Sequence, residues 1–181
     1  MNIEAAILTG MTICSIEDAD RHMDAIRSSA ARVHDWIAAQ DGDPLAMLRR
    51  MKFDPVGFHP IGGHALNLVE QINQTWTFAV AIAAARQLLM LHPEAGGFRL
   101  APGAHASQPL DIMSKMDGLV GAETFAAVHP NNNGKMAGDL EKLTGRSESH
   151  RYVFFMSPAY PGNVRRPGFE KNGVQVWSVD V

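Results

Sequence analysis

Cysteine is almost absent from this sequence, since Cys14 is the only one among 181 residues. A single thiol cannot form an internal disulfide, and it cannot supply the several thiolates of a structural zinc cluster. A chain without disulfides fits a reducing compartment, so we expect a cytoplasmic protein. The opening residues also lack the basic and apolar segments of a secretory signal peptide.

Long apolar runs are missing as well. Hydrophobic residues make up 46% of the chain, but no run reaches the roughly 18 residues that a membrane crossing needs. The nearest candidate, residues 75–91, is interrupted by Thr77, Arg86 and Gln87. We therefore expect no membrane association. The length suits one domain that buries its own core.

An excess of basic charge is the third absence. Sixteen Lys and Arg stand against 19 Asp and Glu, and the formal net charge is −3. A polyanion such as nucleic acid would therefore have to be bound by a local basic patch rather than by the overall field of the protein.

Hydrophobic periodicity predicts an α/β protein. Ser15 and Asp18 resemble a capping box, which predicts that the first helix begins at this point. Further helices are predicted at 44–51, 64–91 and 135–143, and strands at 97–101, 151–156 and 174–179. We expect an N-terminal helical segment at residues 1–52 and a mixed sheet flanked by helices at 53–181.

One narrow apolar stripe follows the first predicted helix, and it has two interpretations. It packs on the core of its own chain, or it forms a homodimer through Ile16–Ile37. The small residues Ala19 and Ala30 weaken the second interpretation, because they make a poor coiled-coil seam. The stripe consists of Ile16, Ala19, Met23, Ile26, Ala30, Val33 and Ile37.

The central feature of the sequence is residues 110–128, LDIMSKMDGLVGAETFAAV. The pair Asp117-Gly118 between two apolar segments predicts a β-hairpin. Each predicted strand carries one acid, Asp111 on the first and Glu123 on the second.

Two registers of this hairpin are open. A two-residue loop pairs Met116 with Leu119 and sends the two acids to opposite faces. A three-residue loop pairs Lys115 with Leu119 and puts Asp111 directly opposite the second acid. Gly118 suits the second register, because three-residue loops favour a left-handed residue at that position.

The register decides the chemistry of the two acids. Opposed carboxylates about 5 Å apart repel by roughly 3 kcal/mol at an effective dielectric constant of about 20. A divalent cation, Mg²⁺ or Mn²⁺, would turn this repulsion into a binding site, and a shared proton is the other way to relieve it. In the alternative register, each acid lies near a sheet edge in water.

The order of these elements resembles the restriction-endonuclease-like superfamily, the PD-(D/E)XK nucleases, over residues 64–156. A long helix carrying Glu70 precedes a strand, the two-acid hairpin follows, and a helix and another strand complete the match. The resemblance implies Mg²⁺ bound by Asp111, Glu123 and the backbone carbonyl of Thr124, with Glu70 assisting. It also implies a restriction-endonuclease-like fold and hydrolysis of phosphodiester bonds.

The chain departs from the family motif at two places. Phe125 stands where the motif has a lysine, and Pro109 precedes Asp111 by two residues instead of one. The motif lysine orients the attacking water and offsets charge on the phosphate, which a phenyl ring cannot do. We predict that Lys135, at the start of the following helix, replaces it, with Lys115 as the second choice.

Two functions follow from the resemblance. The first is a metal-dependent nuclease, in which Arg165, Arg166 and Lys171 of a late Pro/Gly-rich stretch hold the nucleic-acid backbone. For that stretch, an ordinary solvated turn is the alternative. The second function is a catalytically degenerate member that binds nucleic acid or a protein partner.

Histidines offer a further alternative for the chemistry. Four of the eight flank the presumed site, but none lies at a recognised ligand spacing such as HExxH. Their pattern favours structural roles over a histidine metal site. These four residues are His59, His64, His105 and His129.

Overall fold

The computed structural model describes residues 11–103 and 108–181, so that His105 lies outside the described residues. The α/β class predicted from the sequence is confirmed. The helices are α1 (Ile16–Ala38), α2 (Pro44–Phe53), α3 (Leu68–Leu91) and α4 (Lys135–Thr144). The strands are β1 (Met11–Ile13), β2 (Gly57–Phe58), β3 (Ala65–Leu66), β4 (Phe98–Leu100), β5 (Ile112–Ser114), β6 (Val120–Ala126), β7 (His150–Met156), β8 (Val164–Arg165) and β9 (Val174–Ser178).

A mixed seven-stranded sheet forms the centre of the fold, in the order β1-β4-β5-β6-β7-β9-β8. The β6–β7 and β7–β9 pairs are parallel, and the other pairs are antiparallel. β2 and β3 form a separate hairpin. Within the described residues, no helix combines the length and apolarity needed to cross a membrane.

Local capping explains where the helices begin. The Ser15 hydroxyl accepts from the backbone N–H of Asp18 at 3.1 Å, as predicted. The Asp18 carboxylate then accepts from the backbone N–H of Cys14 at 2.9 Å. α3 begins four residues later than predicted, because Asn67 caps it and the two residues before Asn67 belong to β3. Side-chain caps of this kind are each worth about 1 kcal/mol.

Two hydrophobic cores lie on the two faces of the sheet. Along β7, Tyr152 and Phe154 belong to the core formed with α1 and α3, whereas Val153 and Phe155 belong to the core formed with α4. This alternation follows from the two-residue period of a strand. Burying a side chain of the size of Phe154 contributes about 2–3 kcal/mol, so β7 ties both helical layers to the sheet.

The N-terminal part is joined to the sheet. β1 pairs with β4, and α1 packs along α3. Ala19, Ile26 and Val33 of the apolar stripe are buried in their own chain, whereas Ala30 and Ile37 are exposed. A homodimer through α1 stays a prediction.

At Ser29 the buried face of α1 departs from the apolar stripe. Ser29 is buried there, whereas the adjacent stripe residue Ala30 is exposed. Gln71 of α3 donates from Nε2 to the carbonyl and hydroxyl oxygens of Ser29, both at 3.2 Å. Gln71 also accepts from the N–H of Phe58 in the small hairpin. A polar contact thus replaces the expected apolar one and links α1, α3 and the hairpin.

Gly97 should be irreplaceable at the junction of β1 and β4. Its φ is +112°, and a Cβ there would lie 2.9 Å from both the Ile13 carbonyl oxygen and the Cys14 Sγ. Gly96 is the matched control, because its φ is +71° but nothing lies within 4 Å of a Cβ. We expect Gly97→Ala to cost about 3 kcal/mol and Gly96→Ala about 1 kcal/mol. Urea unfolding measures both, and equal losses would contradict the prediction.

Candidate functional site

The hairpin adopts the register in which its two acids oppose each other. Ile112 pairs with Ala122 and Met113 with Gly121, so the next pair outward is Asp111 with Glu123. This is the three-residue-loop register, and Gly118 takes the left-handed conformation with a φ of +74°.

Close packing supports this register. A Cβ on Gly121 would lie 2.5 Å from Cδ1 of Leu110, so the glycine lets the Leu110 side chain lie against β6. The sheet then covers both sides of β6, and Glu123 is only 3% exposed.

Asp111 lies where β5 begins, and Thr124 of β6 holds it. Asp111 Oδ2 accepts from the backbone N–H of Thr124 at 2.8 Å and from its hydroxyl at 3.0 Å. The N–H and C=O of a strand residue point to the same side. The Thr124 carbonyl therefore points away from β7, toward Asp111.

α4 brings three further charges to the two acids. Lys142 Nζ lies 2.7 Å from Glu123 Oε1, and Lys135 Nζ lies 2.6 Å from Asp139 Oδ1. Asp139 is 4% exposed, and its Oδ2 is buried without a hydrogen-bond partner among the described residues. The cluster therefore contains three carboxylates and two ammonium groups, a net charge of −1 when all are ionised.

Asp139 and Lys142 were not predicted, although the sequence carries a signal for them. Lys135, Asp139 and Lys142 are spaced i, i+4 and i+7, which places them on one side of a helix. The adjacent positions Met136, Leu140 and Leu143 are buried in the core beneath α4. Packing of those apolar residues fixes the helix and holds the three charged residues against β6.

Burial and charge perturb the acids of the cluster. Burial, and next the charge of Asp111, raise the pKa of Glu123 above its ordinary value, although Lys142 acts in the opposite direction. Burial likewise raises the pKa of Asp139, and the hydrogen bond from Lys135 offsets only part of this. Burial alone would lower the pKa of Lys135, but Asp139 reverses the sign and the pKa of Lys135 is raised.

Four members of the cluster, Asp111, Glu123, Lys135 and Lys142, line a cleft of about 870 Å³ at the end of the sheet where β5 begins. The first half of α3 forms one wall, α4 contributes the two lysines, and β6 forms the floor. Side chains from three parts of the chain therefore meet in one solvent-accessible space. The residues that line it include Asn73, Trp76, Thr77, Asp111, Glu123, Thr124, Phe125, Asn132, Asn133, Lys135 and Lys142.

Two residues with predicted roles lie outside the cleft, and Phe125, which replaces the motif lysine, packs in the core. Glu70 is exposed in the first turn of α3, outside the cleft lining described above, so its assisting role stays a prediction. Lys115 is exposed, with its Nζ 3.9 Å from the Sγ of Cys14. Phe125 stacks on Phe155 at 5.8 Å between ring centres, so its side chain belongs to the core.

The predicted nucleic-acid contacts are distant from the cleft. Arg165 forms a bidentate pair with Glu170 at 2.7 and 2.9 Å, and Arg166 donates to Ser178 Oγ at 3.0 Å. Lys171 is exposed beside them. Arg165 belongs to the edge strand β8, three strands from β6 and thus about 14 Å away. The structure does not bring these three residues to the acids, and their role stays a prediction.

The cleft fits a magnesium site better than a closed metal cage. Among the described residues, no group of three or more His, Cys, Asp or Glu side chains could hold a metal ion. Two opposed carboxylates and the Thr124 carbonyl remain as donors. Mg²⁺ commonly binds one or two carboxylates and completes its shell with water and substrate phosphate, whereas structural zinc needs nitrogen or sulfur ligands. The donor set therefore suits Mg²⁺ or Mn²⁺.

Comparisons with models of protein families, with curated proteins and with solved structures found no match to this chain.

The buried Glu123 should make stability depend on pH. Its pKa is raised in the folded state, so the carboxyl destabilises the fold once ionised. The wild type should lose stability relative to Glu123→Gln as pH rises through the window between the ordinary glutamate pKa, about 4.3, and the raised value. Urea unfolding at a series of pH values measures this difference. Asp117→Asn, at an exposed turn acid, is the control and should show no such trend. A difference that grows with pH in favour of the wild type would refute the prediction.

Proposed function

We propose that the protein is a metal-dependent nuclease of the restriction-endonuclease-like superfamily. The observation that carries the proposal is the hairpin on which Asp111 opposes the buried Glu123, with Lys142 at 2.7 Å. Two opposed carboxylates and a lysine in one cleft are the groups that metal-assisted hydrolysis of a phosphodiester needs.

The order of elements also supports the proposal. α3, β4, β5, β6, α4 and β7 follow one another as helix, strand, two-acid hairpin, helix and strand. This is the order on which the resemblance rests. The parallel pairing of β6 and β7 requires a crossover, and α4 supplies it on the face that carries the acids.

Asp111, Glu123 and the Thr124 carbonyl would hold the cation. When bound, Mg²⁺ would activate water and stabilise negative charge on the phosphate. The chain's own contribution is orientation: Thr124 fixes one oxygen of Asp111, and Lys142 fixes one oxygen of Glu123. The remaining oxygens of both carboxylates make no protein hydrogen bond in the described part of the chain.

We assign to Lys142 the role that the family motif gives to its lysine, because its ammonium group lies 2.7 Å from Glu123 Oε1. Glu123 and Phe125 share a face of β6, and the phenyl ring is packed into the core. The ammonium group of Lys142 therefore reaches Glu123 from α4 instead of from β6. Lys135, the substitute predicted from the sequence, lines the same cleft but pairs with Asp139. We assign charge stabilisation at the phosphate to Lys142 first and to Lys135 second.

A binding protein without catalysis is the second candidate. Both lysines already form ion pairs, and the cluster is within one charge of neutrality. Such a cluster can persist without a cation. Cleavage experiments separate the two candidates.

Calorimetric titration of Mn²⁺ tests the metal site. We expect binding to the wild type and a loss of at least about tenfold in affinity for Asp111→Asn, because one of two carboxylate ligands becomes neutral. Asp117→Asn is the matched control, since it neutralises an acid of the same hairpin that is paired with Arg99 and not with the cleft. Equal affinities for the wild type and Asp111→Asn would contradict the site.

Cleavage by lysine variants tests the catalytic assignment. With Mn²⁺ and single-stranded and duplex DNA and RNA, Lys142→Met should reduce the rate constant by about 10²–10³, the usual cost of removing one group that stabilises transition-state charge. Lys135→Met should have a smaller effect, and Lys115→Met, which removes an exposed lysine outside the cleft, none. If the wild type cleaves no nucleic acid in the presence of Mn²⁺, the nuclease proposal fails.

A further inference from the structure

Trp76 is an exposed aromatic residue inside the cleft. It lies in the third turn of α3, is 41% exposed, and lines the same space as Asp111 and Glu123. Further along the same helix, residues 79–82 are buried in the core. The largest side chain of α3 is therefore left in contact with solvent at the point where the helix borders the acids.

The surroundings of Trp76 suit a polar, anionic ligand. Asn73 and Thr77 flank it on α3, Asn132 and Asn133 come from the turn before α4, and two lysines lie across the carboxylates. Amide and hydroxyl groups commonly contact phosphate and sugar, whereas an aromatic face contacts a base. A cleft that offers an indole face, neutral polar groups and ammonium groups together matches a nucleotide strand.

We propose that Trp76 stacks on an unpaired base, so that the cleft accepts single-stranded nucleic acid or an unpaired strand end. A base inside a duplex presents its edges to a protein and has both faces covered by its neighbours. Only an unstacked base exposes a face to Trp76. This inference rests on the proposed function, because the phosphate beside the stacked base would lie at the two acids.

Trp76 can be tested as its own fluorescent reporter. The chain has three tryptophans, and Trp36 and Trp177 do not line the cleft among its described residues. A Trp36→Phe, Trp177→Phe protein leaves Trp76 as the sole tryptophan. Asp111→Asn in the same protein prevents cleavage under the proposed function and lowers the negative charge of the cleft. The probes are an eight-nucleotide oligothymidylate and a relaxed, covalently closed circular duplex, which has no strand ends, at two salt concentrations.

We expect the single strand to quench the fluorescence and the duplex to do so only at much higher concentration. Affinities of the Trp76→Ala and Trp76→Phe variants, in the background with the other tryptophans intact, are measured with a dye-labelled strand. Trp76→Ala should weaken binding about 5- to 100-fold and Trp76→Phe much less. The salt dependence should not change in Trp76→Ala but should decrease in Lys142→Met, which removes a phosphate contact. Rescue of the affinity by Trp76→Phe would separate loss of the aromatic face from a general loss of structure.

Other outcomes separate failure of the inference from failure of the proposed function. Equal affinity of Trp76→Ala and the wild type, or equal quenching by the duplex, refutes stacking but leaves the nuclease standing if the wild type cleaves. Quenching by the single strand without cleavage by the wild type refutes the nuclease but leaves stacking standing. If the fluorescence changes only with protein concentration, a second copy covers the exposed stripe Val69, Ile72 and Trp76, and the inference fails.

Discussion

The site depends on one electrostatic constraint, the opposition of Asp111 and Glu123 across a hairpin whose second strand is buried. Glu123 is almost fully covered, yet it faces another carboxylate. Burial and repulsion both disfavour its ionised form. The structure relieves the strain with the ammonium group of Lys142 and with the two hydrogen bonds from Thr124 to Asp111. The position of α4 is therefore tied to the chemistry of the hairpin, because no other element brings a lysine to Glu123 among the described contacts.

The same helix couples packing to charge. Met136, Leu140 and Leu143 insert into the core between α4 and the sheet, while Lys135, Asp139 and Lys142 follow the adjacent side of the helix. A core variant beneath α4 would therefore move the two lysines as well as lower stability. Gly121 contributes in the same way from the hairpin, since its missing side chain lets Leu110 and β6 approach. Residues without chemistry of their own thus set the distance between the acids and the ammonium groups.

Local signals in the sequence predicted the helices and the strands that carry the site. Ser15 and the Asp117-Gly118 turn act through nearby backbone, so a single sequence contains what is needed to place them. The hairpin register stayed open, because it depends on the contact between Leu110 and Gly121 as well as on the turn. Lys142 was missed because it meets Glu123 only when α4 docks on the sheet. The strand β8 is not predicted from the sequence, since a two-residue strand has too few residues to show a period.

The charges of the cleft are more than the fold requires. Replacing a buried ion pair with apolar residues of similar volume is often neutral or stabilising, so stability alone gives no reason to place Glu123 and Asp139 beneath two lysines. The Oδ2 of Asp139 adds a buried oxygen without a hydrogen-bond partner in the described structure, and such an atom costs about 1–3 kcal/mol. Buried acids with raised pKa values beside a cleft are typical of sites that act on a ligand. A phosphate would approach the ammonium groups of Lys135 and Lys142, and a cation the free oxygens of the carboxylates. Each ligand would lower the cost of binding the other, because each neutralises the charge that repels its partner. We therefore interpret the cluster as a site completed by cation and phosphate together.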